Sequence, residues 1–514
     1  MPILNNDGLD DPLIYDGDSS FNGGMVSFVK PNLLAPGQFS ELVNIETDTS
    51  GRGITRLGTD SLGAAPDAEP VRGLFFYDWT SDYLIRVSDG VLRKWDGSTW
   101  STISGFTPPD SFNVEMCQLS GNLFLTDGTD IYTWNGSGSA AAVADTDAPA
   151  CRYIVTHAGR VFAGGLTAVD DIQWSAVLDG TGATAWDPSQ SFSVGGGDGQ
   201  GITGMLSWQN FRLLVFKRNS IYAVNTDPTS GSAKDDWSVE TVSRRIGCVN
   251  HRTIQQVGND VFFLSEDGVR SVSRTLADQQ VGVSVPVSEP ISNIIRRINW
   301  GFIDTACSSY YKNLYKLSVP VDSATTPNYV LVWNQITQSW SGYWTGWNAT
   351  CFAITRFNGL SKEVFGQADG GTLEWLGWKN EVDASSNDYT DNGTAYTSSA
   401  TSRGYHFGDY LSPKTGYSFE VEFYSSSANG TVSIIADRGG ARQGFSGSTS
   451  QTTLTLPLGL PFLLPAKGSY RIARDLGRFG QFFSVQCKVA TTSGKIAIQG
   501  FGLSAFLDTI REES

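Results

Sequence analysis

The sequence predicts an all-β protein, and three observations carry that reading. A short phrase recurs in which an apolar run, an Asp-Gly turn and a second run ending in Trp follow one another. Its plainest copies are Leu84-Ile85-Arg86-Val87-Ser88-Asp89-Gly90-Val91-Leu92-Arg93-Lys94-Trp95 and Leu123-Phe124-Leu125-Thr126-Asp127-Gly128-Thr129-Asp130-Ile131-Tyr132-Thr133-Trp134. Asp-Gly supplies the positive φ angles of a tight hairpin, so each copy reads as part of an antiparallel meander. With 57 glycines and many Asp-Gly, Asn-Gly and Ser-rich turns, the chain favours short strands over helices. Sustained 3.6-residue periodicity is nearly absent, with residues 288–299 the best helix candidate.

In chain order, residues 1–70 read as irregular and rich in Asp, Gly and Pro. A segment of this kind cannot bury its own apolar residues, so it is expected to dock on the rest of the protein. Residues 71–378 carry the repeat. Its second-strand anchors are Trp95, Trp134, Trp174, Tyr222, Val272, Trp333 and Trp375, spaced 39, 40, 48, 50, 61 and 42 residues apart. Four-stranded propeller blades recur every ~40–50 residues, so this stretch is expected to be a degenerate β-propeller of seven blades, with six the near alternative. Residues 379–402 are Ser-, Thr-, Asn- and Asp-rich and read as a polar linker. Residues 403–514 alternate again over 417–424, 430–436, 451–456, 482–489 and 495–503, as half-buried strands do, and predict a β-sandwich platform domain.

The net charge of −16 is unevenly placed. Residues 401–514 hold 8 acidic and 11 basic side chains, leaving 44 acidic and 25 basic on the other 400 residues. Tight nucleic-acid binding needs clustered Lys and Arg, which an acidic body lacks. A channel through which DNA slides without sticking is compatible with it. The six cysteines, Cys117, Cys151, Cys248, Cys307, Cys351 and Cys487, are far apart and read as buried free thiols in a reducing compartment. The start of the chain lacks the basic and apolar regions of a signal peptide, and no apolar run approaches the ~18 residues of a membrane span.

Signals for catalysis are weak. His157, His251 and His406 are isolated, and no metal or cofactor motif appears, so neither is expected. The glycine-rich run at 195–201 lacks the Lys-Ser/Thr of a phosphate loop and reads as a loop between blades. Asp96-Gly97-Ser98-Thr99-Trp100 resembles the Asp-box turn of sialidases, which is structural even there; a propeller glycosidase would need converging carboxylates. Trp95, Trp134, Trp333 and Trp375 recur at strand ends and read as packing between blades rather than as a sugar-stacking platform. Arg471, Arg474 and Arg478 sit in the net-basic region and read either as a solvated strand pair with local ion pairs or as a contact to an acidic neighbouring subunit.

Together these parts resemble the tail nozzle or hub proteins of short-tailed bacteriophages. The resemblance rests on the segment holding Asn44 and ending Ile54-Thr55-Arg56-Leu57-Gly58, on the worn propeller repeat, and on the closing stretches 477–489 and 496–502. It implies a non-enzymatic virion protein made in the host cytoplasm. In that family a homohexameric ring below the portal and adaptor (head–tail connector) proteins extends the DNA ejection channel and anchors tail fibres or spikes. A receptor- or glycan-binding fibre propeller is the alternative, and a propeller glycosidase the second.

Overall fold

The computed structural model describes residues 13–226, 237–281, 285–379, 386–409, 414–425, 429–437, 452–456, 469–480, 482–490 and 496–507, with the backbone alone described between 414 and 496. Seven antiparallel sheets follow one another between residues 73 and 375. Sheet 1 is Gly73–Asp78, Asp82–Ser88, Val91–Trp95 and Trp100–Ile103. Sheet 2 is Glu115–Leu119, Asn122–Thr126, Ile131–Trp134 and Ala141–Ala142. Sheet 3 is Tyr153–His157, Arg160–Gly164, Asp171–Ser175 and Trp186–Ser193. Sheet 4 is Ile202–Trp208, Arg212–Lys217, Ile221–Asn225 and Ser238–Ser243. Sheet 5 has three strands, Gln255–Val257, Asp260–Ser265 and Gly268–Ser271. Sheet 6 starts with Cys307–Tyr311, Leu314–Val319, Tyr329–Asn334 and Ser339–Thr345. Sheet 7 is Ala349–Thr355, Lys362–Gln367 and Thr372–Trp375, with Thr59–Ser61 from the N-terminal segment as its outer strand.

The first strands of sheets 1 to 4 touch in cyclic order, as do those of sheets 5 to 7, and Ala349–Thr355 meets Gly73–Asp78 to close the circle. Between sheets 4 and 6 the short 3-10 helix His251–Thr253 supplies part of the contact. The arrangement is propeller-like. Its tight turns are built as the sequence predicts at Asp89-Gly90, where φ is 54° and 61° and both central residues of a two-residue hairpin loop are left-handed. Asp127-Gly128 makes a longer loop instead. There the Asp127 carboxylate accepts from the backbone N–H groups of Thr129 and Asp130, each at 2.8 Å, so one phrase serves two turn types.

Several expectations are corrected. Residues 288–299 form a 3-10 turn, Glu289–Ile291, and one α-helical turn, Ser292–Ile295, with Pro290 inside the first of them. The long helix is Val272–Val281, which stands where sheet 5 would have a fourth strand and packs toward Ser238–Ser243 of sheet 4. Val272 therefore opens a helix, whereas the other six anchors lie on the third strands of their sheets. The N-terminal segment is far from irregular. It gives Leu13–Asp18, Gly24–Met25, Gln38–Val43, Ile45–Thr47, Gly53–Thr55 and Thr59–Ser61; Gly24–Met25 and Ile45–Thr47 pair inside the segment, with Gln38–Val43 and Gly53–Thr55, and the other four pair with strands elsewhere in the chain. Its polar side chains hid these strands because short strands inside a shared sheet need little apolar content of their own.

The polar stretch 379–402 ends in a strand, Thr397–Ser402, that lies between Gln38–Val43 and Phe482–Ala490. Gln38–Val43 in turn runs parallel to the last strand of sheet 6 through the pair Tyr343 and Val43. Sheet 6 and the C-terminal strands Asn429–Asp437 and Thr452–Leu456 thus belong to one ten-stranded sheet. A second sheet of six strands unites Ser469–Gly480, Lys414–Ser425, Ile496–Leu507, Gly53–Thr55, Ile45–Thr47 and Leu13–Asp18. Phe21, Phe39, Leu317, Trp333, Ala400 and Phe501 share one buried cluster, so the core runs across all the expected boundaries. Among the described residues no helix is long and apolar enough to cross a membrane.

Candidate functional site

The four repeat tryptophans are core. Trp134 packs between sheets 1 and 2, Trp95 between sheets 1 and 7, Trp375 between sheets 6 and 7, and Trp333 in the large shared cluster. None is more than 9% exposed, which leaves no face for a sugar. The Asp96 turn is structural too. Its carboxylate accepts from Ser98 N, Ser98 Oγ and Thr99 N, all at 2.8 Å, and these bonds lower its pKa to about 2. His157 bridges Ser207 Oγ at 2.8 Å and Thr226 Oγ1 at 2.7 Å, and burial lowers its pKa to about 4. It is a satisfied, neutral core histidine. Five cysteines are free and buried, and burial pushes Cys117 and Cys151 up to about 12.

Arg471, Arg474 and Arg478 lie on Ser469–Gly480, paired with Glu422, Phe419 and Gly416, and their side chains lie outside the described part, as does that of Cys487. Among the described residues, no group of three His, Cys, Asp or Glu is placed to hold a metal ion.

Among several buried polar clusters, including Arg403 with Asp16 and Asp18 and Lys316 with Glu363, two bear on function. The first is a clamp around Arg56, which is 0% exposed. Its two Nη atoms grip both oxygens of Asp391 at 2.8 and 2.5 Å, and also donate to the carbonyls of Leu57 at 3.2 Å and Thr345 at 3.1 Å. Nε donates to Asn44 Oδ1 at 3.1 Å, so all five guanidinium donors are used. The Tyr396 ring lies 3.9 Å beneath the charge, and its hydroxyl donates to the Arg56 carbonyl. Burial opposes the charge, yet the Asp391 carboxylate outweighs it and Arg56 is held above its ordinary pKa.

Asn44, at φ 54°, is saturated in the same way. Its amide donates to Thr345 Oγ1 at 3.0 Å and the Thr397 carbonyl at 2.7 Å, and its oxygen also accepts from Thr345 N at 2.9 Å. Gly58 is forced by closeness, because a Cβ there would stand 1.9 Å from the Thr390 carbonyl oxygen. The Asn44 and Arg56-Leu57-Gly58 elements thus tie the N-terminal segment, sheets 6 and 7 and the 388–397 stretch into one node.

The second place is an axial cavity of about 240 Å³. Sheets 1, 2, 3, 4, 6 and 7 line it with their first strands, and residues 251–254 complete the circle from the sheet 5 side. Most of the residues that line it are apolar in type, such as Phe75, Met116, Met205 and Phe352. The lining also holds two charged side chains, Glu115 and Arg252, and the imidazole of His251. His251 Nδ1 accepts from Met205 N at 3.3 Å, which leaves Nε2 as the N–H, 3.6 Å from one Glu115 oxygen. Arg252 Nε is 3.6 Å from the other oxygen. Burial is the main cause that keeps His251 below its ordinary pKa, against the pull of Glu115. Sequence reading missed this trio because Glu115 and His251 are far apart in the chain and carry no motif. A single carboxylate among the lining residues does not supply the pair that glycoside hydrolysis requires. No protein-family model matches the chain, and no curated protein matches it significantly.

Proposed function

We propose that this chain is a structural subunit of a short-tailed phage tail nozzle or hub, in which the seven sheets are the blades of a β-propeller and the C-terminal sheets form a β-sandwich platform. Copies assemble into a homohexameric ring below portal and adaptor, extend the DNA ejection channel and anchor fibres or spikes. The observation that carries this reading is the clamp. The residues that carry the resemblance, Asn44 and Arg56-Leu57-Gly58, are those that lock the terminal segment across sheet 6, sheet 7 and the 388–397 stretch. A rigid subunit of this kind suits a ring that bears load.

The axis of a single chain cannot be the conduit, because side chains narrow it to a cavity of about 240 Å³, below the ~300–1,000 Å³ of an ordinary small-molecule pocket. In this reading DNA passes between copies, along an acidic body that does not hold a polyanion. The proposal is tested by mass photometry and electron microscopy of the assembled protein. A closed ring of six is the expected result, and a strictly monomeric species inside intact virions would overturn it. Reversing the charges of Arg471, Arg474 and Arg478 is expected to block assembly while leaving the monomer's β-sheet spectrum and melting unchanged. Unfolding of that monomer would assign the three arginines to the fold.

A further inference from the structure

The axial cavity contains a cation whose bonding capacity is only partly used. The Arg252 side chain is 11% exposed and lines the cavity. Its polar partners among the described residues are the Arg72 carbonyl, reached from Nη2 at 3.3 Å, the Cys351 thiol, and Glu115 at 3.6 Å. A guanidinium offers five donors in a fixed fork that fits an oxyanion. A separation of 3.6 Å is too long for a direct hydrogen bond, so Glu115 is close without capping the fork.

A second cation stands nearby. Arg72 donates from Nε to the Asp110 carbonyl at 3.1 Å, and its pKa is lowered first by burial and then by the Arg252 charge. The neutral His251 adds an Nε2–H donor on the Glu115 side. The Arg252 guanidinium and an imidazole N–H therefore face a single carboxylate in a small cavity, with Arg72 outside its lining.

We propose that the axial cavity binds a small oxyanion, a carboxylate or a phosphate, anchored on the Arg252 guanidinium. Its size admits an ion of that class and excludes a nucleotide or an oligosaccharide. The ligand completes the Arg252 fork. Glu115 tunes the site by weakening it, since a carboxylate beside the fork competes with any incoming anion. The site belongs to one chain and does not depend on ring formation.

Isothermal titration of the full chain with sodium phosphate and, separately, sodium acetate, against sodium chloride at matched ionic strength, tests this. Saturable binding of at least one of the two, one per chain, is expected, and whichever binds names the source of the charge. Arg252→Gln is expected to weaken binding tenfold or more. Glu115→Gln is expected to tighten it severalfold, a change of opposite sign that a general loss of structure cannot mimic. Should Arg252→Gln fail to fold, Arg252→Lys, which keeps the charge and loses the fork, takes its place with the same expected direction. Absence of saturable binding of either anion, or binding unchanged in Glu115→Gln, overturns the proposal.

Discussion

Arg56 and Arg252 are both withdrawn from solvent, and the protein treats them in opposite ways. Arg56 has every donor answered, two of them by one carboxylate in a bidentate grip. Arg252 has a carbonyl at 3.3 Å, a thiol and a carboxylate at 3.6 Å. Burial alone therefore does not say what a cation is for; the count of answered donors does. A saturated guanidinium is a fastener, whereas one with spare donors on a cavity wall is an offer to a ligand.

The sharpest way to break this comparison is at the fastener. Arg56→Met leaves Asp391 without its counter-charge beside a closed core, and breaking a buried pair in this way costs about 3–5 kcal/mol. Urea denaturation should show that loss, and a change under 1 kcal/mol would refute the clamp. Gly58→Ala should destabilise by at least about 1–3 kcal/mol, because the new methyl collides with backbone that cannot swing aside.

Next in size is a pH effect from a group that is buried and neutral. His157 binds a proton at about 4 in the folded chain, against 6.5 for an unperturbed histidine. The unfolded state therefore takes up the proton first as pH falls. Stability from this group is complete above pH 6.5 and is lost down to about pH 4, for a total of about 3 kcal/mol. His157→Gln should flatten that part of the stability–pH curve, measured by denaturant midpoints between pH 7 and pH 4.

The smallest expected effect is at the cavity. Arg252→Gln in anion-free buffer should cost only about 1 kcal/mol, since it gives up one long hydrogen bond, a thiol contact and a loose ion pair. A loss as large as that of Arg56→Met would mean that Arg252 is a fastener as well. The two variants side by side, in one denaturation series, measure the difference directly.

Much of the fold is legible in the chain because turn chemistry is local. Asp89-Gly90 demands left-handed backbone, and the Trp at the end of the following run marks the third strand in sheets 1, 2, 3, 6 and 7. Val272 fails for an equally local reason, since the residues after it continue as a helix and sheet 5 ends at three strands. The N-terminal strands and Thr397–Ser402 escaped notice because their partners supply the apolar cover, and a strand that borrows its core carries little pattern of its own.

By itself, the sequence determined a mostly β chain and a recurring anchor that falls on one strand in six of the seven sheets, while Asn44 and Arg56-Leu57-Gly58 stood out in it only through a resemblance. Only the tertiary structure decided what those last residues hold, since Asp391, Thr345 and Thr397 lie some 290 to 350 positions away. It alone also brought Glu115, His251 and Arg252 to one axis. Turns and strands follow from neighbours in the chain, whereas charge pairing and cavities follow from which distant surfaces meet when the circle of sheets closes.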